Sequence, residues 1–500
     1  MADTVEIVPE GGRHPVPKRV NAGPQTQPDT IDQTSPDFDI MKDDGSWELI
    51  NSLMGGTKAM RKKGEKYLPR ERKEKMRDWE NRRDRSFLLN KFKDAVNKTS
   101  SKPFSRPITL QNAEKLHEQL KLIEDDADGT GRNLTQFFWA CFKNALEKGL
   151  THVLVDFPAI DGQLTLAQER ALGVRPRFVH IKAEDLFFWK FDNDDNLVEI
   201  RFTEKGVESS GEHSQKKVER IRVYKKETWE LWEKNEKGAW EKKEDGTHTF
   251  NGVPLTTWYM DQDGVMTATP PFLELAWTNL THWQSYSDQR NLLRVARVPI
   301  VVGSGFTKGE IDDGIEIGAT RFIVSENPDA KIEHAEHSGK AIEAGRMDLK
   351  DLEEQMDMMA LEPFVGKTGA PTATAKAIDE SKSQSSVQAW IRSGENVVKN
   401  CYALAGEWVK YELPDDFKAD IFNDFAIVLM GKDDKETLLK TVQSGKISQQ
   451  TYLRECKRRG FLSENLDVEE EIEAIESQPP LLMGIPESSE SDEGGEGDEE

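Results

Sequence analysis

One segment, Phe272 to Arg297, limits most sharply what this chain can become. Pro270 and Pro271 open it, in keeping with the tolerance of proline in a first helical turn, and Pro299 ends it. Phe272, Leu273, Ala276, Trp277, Leu280, Trp283 and Tyr286 cover about half of a helical circumference. Beyond Tyr286, Arg290 and Asn291 break that arc. Such a helix sits in a core at one end and is polar at the other. The fold must therefore send a helix end out of its core.

Downstream of Pro299 the chain turns to strands. PIVVGSG reads as one strand and ATRFIVS as another, with acidic loop residues Glu310, Asp312, Asp313 and Glu316 between them. A second helix is AIEAGRMDLKDLEEQMDMMAL. Its stripe of Leu349, Leu352, Met356 and Met359 has 3-4-3 spacing, a narrow seam suited to one neighbour. Asp348, Asp351, Glu353, Glu354 and Asp357 make the rest of its surface acidic. A small-residue loop, EPFVGKTGAPTATAK, leads into a long helix that ends near Glu412 and carries Val387, Trp390, Ile391, Val397, Val398, Tyr402 and Trp408. Two short helices come last: Gly445 ends the first, Ser448 caps the second, and Gly460 ends that.

Upstream, residues 46–149 look helical, with MRDWENRRDRSFLLNKFKDAVNK and LTQFFWACFKNALEKG as the plainest examples and Gly149 as the C′ residue of the latter. From Thr151 to Met260 the pattern turns to strands: THVLVDFP, RPRFVHI, DLFFWKF, VERIRVY, TWELWEK and VPLTTWYM. Turn signals at Asp161-Gly162, Asp194-Asp195 and Asp245-Gly246 separate them. This predicts an antiparallel α+β domain with one wet face. Residues 1–45, with six prolines, read as a disordered leader, and 476–500 as a disordered acidic tail.

Charge and composition narrow the function. The net charge is -23, charged residues make up 32%, and the mean hydropathy is -0.69. Fifteen acidic residues and no Lys or Arg lie between Phe461 and Glu500, while 15 basic and 6 acidic residues lie between Lys58 and Lys93. A chain this acidic is poorly suited to gripping nucleic acid, which rests on Lys and Arg contacts to phosphate. No apolar run is long enough for a transmembrane helix, and the N-terminal residues carry no secretory h-region. Cys141, Cys401 and Cys456 lie in apolar helical contexts and are expected as reduced, buried thiols of a cytosolic compartment.

No catalytic motif is complete. Gly366-Lys367-Thr368 ends like a phosphate-binding loop, but the glycine required five positions earlier is Leu361. GSGFTKG, at 303–309, precedes no helix and reads as a turn. His334-Ala335-Glu336-His337 lacks further ligands for a metal. His117, His152, His180 and His282 lie in different elements with no nucleophile elbow. The helical pair at 434–459 has Gln449, Gln450 and Thr451 where a recognition helix would begin, and its Lys457, Arg458 and Arg459 sit at the wrong end.

Four stretches, in this order, resemble the portal (head-to-tail connector) proteins of tailed bacteriophages, in a subfamily catalogued as a domain of unknown function. They are GLTHVLVDFP; LAWTNLTHWQSYSDQRNLLRVARVPIVV; the acidic helix running into EPFVGKTGAPTATAKAIDESKSQSS; and SGKISQQTYLRECKRRGFL. The resemblance spans about 47–475. It implies an α+β protomer with a wing of helices and antiparallel strands (46–270), stem helices at 271–297 and 341–361, a clip at 298–340, a tunnel loop at 362–376, a long wing helix and following segment at 377–429, and crown-side helices at 430–475.

The same resemblance implies a ring of identical subunits, usually a dodecamer, at one capsid vertex, with double-stranded DNA passing through without sequence specificity during packaging and ejection. Terminase, major capsid and scaffolding proteins, and head-to-tail connector and tail proteins are the implied partners, in the virion and, during assembly, the host cytoplasm. No cofactor, metal, catalytic residue or membrane is implied. In this scheme Lys367, Thr368, Thr372, Thr374 and Lys376 face DNA in the tunnel loop. Glu343, Asp348, Asp351, Glu354 and Asp357 line the channel wall. Leu349, Leu352, Met356, Met359, Arg290 and Arg294 form the subunit interface. Two rivals stay open: an NTP-driven packaging enzyme, and a non-ring capsid scaffold or adaptor.

Overall fold

The computed structural model describes residues 30–157, 174–209, 214–248, 250, 252–297, 300–305, 327, 329, 331–335, 339–361, 386–423, 432–458, 462 and 468–477. The chain divides into two compact units, at Asn423 and Asp424. The first mixes helices with antiparallel strands, as the sequence pattern predicts.

Its folded part starts earlier than expected. The composition places residues 30–45 in the leader, yet they contain α1 (Pro36–Asp43) and the approach to α2 (Ser46–Met54). Phe38 is buried edge-on against Trp47, with ring centroids 5.9 Å apart, and the Ser35 N–H bonds to the Phe187 carbonyl at 2.9 Å. The proline-rich composition of 1–45 as a whole hides this one short amphipathic turn.

Next come α3 (Gly56–Lys63), α4 (Met76–Arg85) and α5 (Lys91–Ser101). The continuous helical pattern at 76–98 is thus two helices. Ser86 turns extended, and the Asn90 side chain accepts from the Lys93 N–H to cap α5. Then follow β1 (Thr109–Gln111), α6 (Glu118–Asp125) and α7 (Leu134–Lys148). Gly149, at φ 91°, ends α7 in the left-handed region, and a Cβ there would lie 2.8 Å from the Thr269 carbonyl.

The strands are β2 (Leu150–Asp156), β3 (Arg177–Lys182), β4 (Leu186–Phe191), β5 (Leu197–Ser209), β6 (Gln215–Lys225), β7 (Thr228–Lys234), β8 (Trp240–Thr247) and β9 (Leu255–Tyr259). They form two antiparallel sheets, ordered β3-β2-β9 and β4-β5-β6-β7-β8. The period-two pattern of VERIRVY splits between two cores. Ile221 and Val223 join Phe38, Trp47 and Phe187, while Tyr224 joins Phe202, Ile200 and Leu186. The expected single wet face is therefore corrected: α1 and α2 cover what β6 would otherwise leave in water. Asp245-Gly246, expected as a turn, lies inside β8. Gly246 serves packing there, since a Cβ would meet Trp229 Nε1 at 2.6 Å.

A small pair, β10 (Asp261–Gly264) and β11 (Thr267–Thr269), leads into α8 (Leu273–Ala296). β12 (Ile300–Ser304) pairs with β13 (Lys331–Ala335), and α9 (Lys340–Leu361) follows. α10 (Ser386–Trp408) packs on the three-stranded sheet, as does α7. Trp258 is the centre of this core. It stacks on Phe142 at 5.1 Å, donates its indole N–H to the Trp390 carbonyl at 3.0 Å, and is fully buried. β14 (Lys418–Asp420) returns to pair with β1.

The second unit holds α11 (Lys432–Gln443), α12 (Gln449–Arg458) and α13 (Val468–Ser477). Gly445, at φ 68°, follows α11, and Ser448 Oγ accepts from the Thr451 N–H at 3.1 Å to cap α12. The strand expected at ATRFIVS, Gly460, and residues 478–500 lie outside the described residues.

Candidate functional site: helical hairpin and arginine groove

α8 and α9 run antiparallel. Thr278 Oγ1 lies 3.7 Å from Met359 Sδ, His282 Nε2 lies 3.2 Å from Glu353 Oε1, and Gln289 Nε2 donates to the Ile342 carbonyl at 2.8 Å. Gly345 permits the close approach at the far end, because a Cβ there would sit 2.2 Å from Gln289 Oε1. This hairpin fills the narrow seam of α9. Leu349 and Met356 are buried within a single chain, and Leu352 and Met359 are half-buried. Leu349 and Met356, expected at a subunit interface, thus find a neighbour within their own chain. Trp277, expected in the core, is 41% exposed.

One face of α8 explains how the hairpin is anchored. Asn279, Trp283, Ser287, Arg290, Arg294 and Arg297 follow one another at helical spacing. The first three are buried. Asn279 bridges the break before α5, donating to the Leu89 carbonyl at 2.8 Å and accepting from the Phe92 N–H at 3.0 Å. Gln284 adds a bond to the Tyr67 carbonyl at 2.8 Å. The last three are exposed arginines, which is where the apolar arc gives out.

Those arginines open onto α4. A groove of about 510 Å³ between the two helices is lined by Asp78, Arg82, Arg85, Arg290, Arg294 and Arg297, among others. Arg82 forms its floor and is fully committed. It grips both oxygens of Glu74 at 2.9 Å, donates to the Pro69 carbonyl at 2.8 Å, and reaches Asp288 of α8 at 3.0 Å. Burial alone would lower the Arg82 pKa, but Glu74 and Asp288 outweigh it and keep the guanidinium charged. Burial lifts the Asp288 carboxyl above its ordinary value, against the pull of Arg82. Among the described residues, no carboxylate is paired with Arg85, Arg290, Arg294 or Arg297. The basic stretch at 58–93 and the arginines at 290–297 stand far apart in the sequence, and only the α4–α8 packing joins them.

The five carboxylates expected on a channel wall are all exposed positions of α9. They are not equivalent. Glu343 pairs with Arg346 at 2.5 Å, Glu354 with Lys350 at 3.3 Å, and Asp357 with Lys91 of α5 at 2.7 Å. Asp348 and Asp351 have no cation within reach among the described residues. The exposed surface of α9 is thus less acidic than its sequence suggests. Arg290 and Arg294 are exposed, and Arg290 lies 6.0 Å from the Tyr286 ring. Lys367, Thr368, Thr372, Thr374 and Lys376 lie outside the described residues, as does Gly366-Lys367-Thr368 as a whole. Among the described residues no group of three or more His, Cys, Asp or Glu is placed to hold a metal ion. No described helix is long and apolar enough to cross a membrane.

Two family models meet at the start of α8. One, described as "Phage portal protein, SPP1 Gp6-like", matches residues 48–281, and the other, "Domain of unknown function (DUF4055)", matches 271–409. No curated protein matches the chain. Among solved structures, a chain of "Neck of empty GTA particle computed with C6 symmetry" is 10% identical with a TM-score of 0.42, covering 72% of this chain and 87% of its own. A chain of "Virion of native gene transfer agent (GTA) particle" is 9% identical with a TM-score of 0.41, covering 73% and 87%. Likeness this distant adds no weight to the family matches. Those matches adjoin over 48–409, and over residues 48–281 the chain is similar to the phage portal protein family.

Proposed function

We propose that copies of this chain close into a ring at one capsid vertex, and that double-stranded DNA passes through it during packaging and ejection. The family match over 48–281 carries this reading. The hairpin of α8 and α9 supports it, because it leaves the core by its polar end and presents an acidic outer face. Glu343, Asp351 and Glu354 stand on that face, and of these Asp351 has no cation beside it among the described residues. Carboxylates facing a channel repel unneutralised phosphates, so DNA slides past without being held. Lys367, repeated in each subunit, supplies one cation per copy for brief phosphate contacts that salt would screen. Terminase, connector and tail proteins dock on the ring in this scheme, and the chain itself acts as a passive conduit.

The test is capsid assembly with and without the chain, followed by packaging and nuclease digestion. Protected DNA is expected only in particles that contain the chain. Equal protection in particles lacking it would overturn the conduit reading.

A further inference from the structure

Gln289 is in contact with Ile342 and Gly345, and His282 with Glu353, so the arginines of the groove and the unpaired carboxylates of α9 lie along the same half of the hairpin, offset by roughly one to three helical turns. They lie on different sides of it. Asp357, which reaches Lys91, marks the flank of α9 turned toward α5. At about 100° per residue Asp348 falls opposite Asp357, and Asp351 lies between that flank and the face turned away from α8. Met347 and Met358 lie beside Asp351 on the face turned from α8, 56% and 65% exposed, an apolar border that water alone does not explain.

We propose that Asp348 and Asp351 of one copy seat in the groove between α4 and α8 of a neighbouring copy, against Arg85, Arg290 and Arg294. This rests on the ring reading above and assigns one of its contacts. Opposite charges on different sides of the hairpin make a head-to-tail contact between copies inclined to one another, and head-to-tail contacts repeat around a closed ring. The exposed arginines have four or more donors each for carboxylates, and none is taken up by a carboxylate of their own chain among the described residues. Asp348 and Asp351, three apart on one helix flank, present two carboxylates to one groove. Leu349 and Met356 do not take part, since α8 already covers them.

The experiment uses the full chain in four forms: wild type, Arg290→Glu with Arg294→Glu, Asp348→Lys with Asp351→Lys, and all four changes together. Oligomer mass is measured across salt concentrations, with circular dichroism as a check that each form is folded. Each double reversal should weaken association on the order of a hundredfold, because like charges then face each other. The quadruple variant, or a mixture of the two double variants, should recover rings. Normal rings from both double variants would overturn the contact and leave the ring reading standing. Loss of rings in the doubles without recovery in the quadruple would also overturn it. Normal rings with weaker DNA retention in the arginine variant would give the groove to nucleic acid instead. A wild-type chain that stays monomeric would overturn both readings.

Discussion

Arg82 shows how a single buried cation can set the position of a surface. Its side chain is 5% exposed and Glu74 is 12% exposed, so their bidentate pair is largely desolvated. Removing one member leaves the other unpaired in a dry site, at a cost of about 3–5 kcal/mol. Arg82→Met is therefore expected to destabilise the fold by that amount, read from urea unfolding, and to loosen α4 from α8. Arg82→Lys keeps the charge but loses the fork, and should recover only part of the loss. Gly394 is a second sensitive position, because a Cβ there would lie 2.2 Å from Trp258. Gly394→Val should cost about 1–3 kcal/mol in the same measurement. Burial depresses the pKa of His152 to about 3. Burial, with Lys182 and Arg132 nearby, lowers that of His180 to about 4. A depressed histidine is neutral in the fold and takes up its proton on unfolding. Stability is then complete above about pH 6.5 and falls as pH drops toward about 4, by up to about 1.4 kcal/mol per pH unit for each histidine. His152→Gln should flatten that slope. An unchanged slope would show that other groups control acid unfolding.

Among the elements, the hairpin is the most exacting. Met356 is fully buried between α9 and its neighbours, and Met356→Ala should cost about 2–5 kcal/mol in thermal or urea unfolding. Gly345→Leu should force α8 and α9 apart near Gln289, seen as a longer distance between spin labels on the two helices. Much of the hairpin is legible in the sequence. Prolines and helical periodicity predict 271–297 and 341–361, and the helices run Leu273–Ala296 and Lys340–Leu361. What the seam packs against is not legible, because 3-4-3 spacing shows that a helix has one neighbour without naming it. The break between α4 and α5 is hidden too. Apolar residues keep helical spacing through it, and its cause, Asn279, lies 187 residues from Phe92. The arginine groove escapes for the same reason: its two walls meet only in the folded chain.

For the molecule as a whole, charge is distributed by position more than by amount. The C-terminal forty residues, from Phe461, hold fifteen of the acidic groups, the stretch at 58–93 is basic, and α9 carries carboxylates on two flanks. Residues after Ser477 are poor in large apolar side chains. Truncation there should leave the number of subunits per oligomer unchanged, and a shift to monomers would assign the tail a role in assembly. The central claim is that this chain is a ring subunit, and the most direct measurement is mass photometry of the purified protein combined with electron microscopy of the same sample. Closed rings with a central channel, at a mass close to a dozen times 56.8 kDa, are the predicted result. A single species at 56.8 kDa, or open and irregular assemblies with no channel, would contradict it.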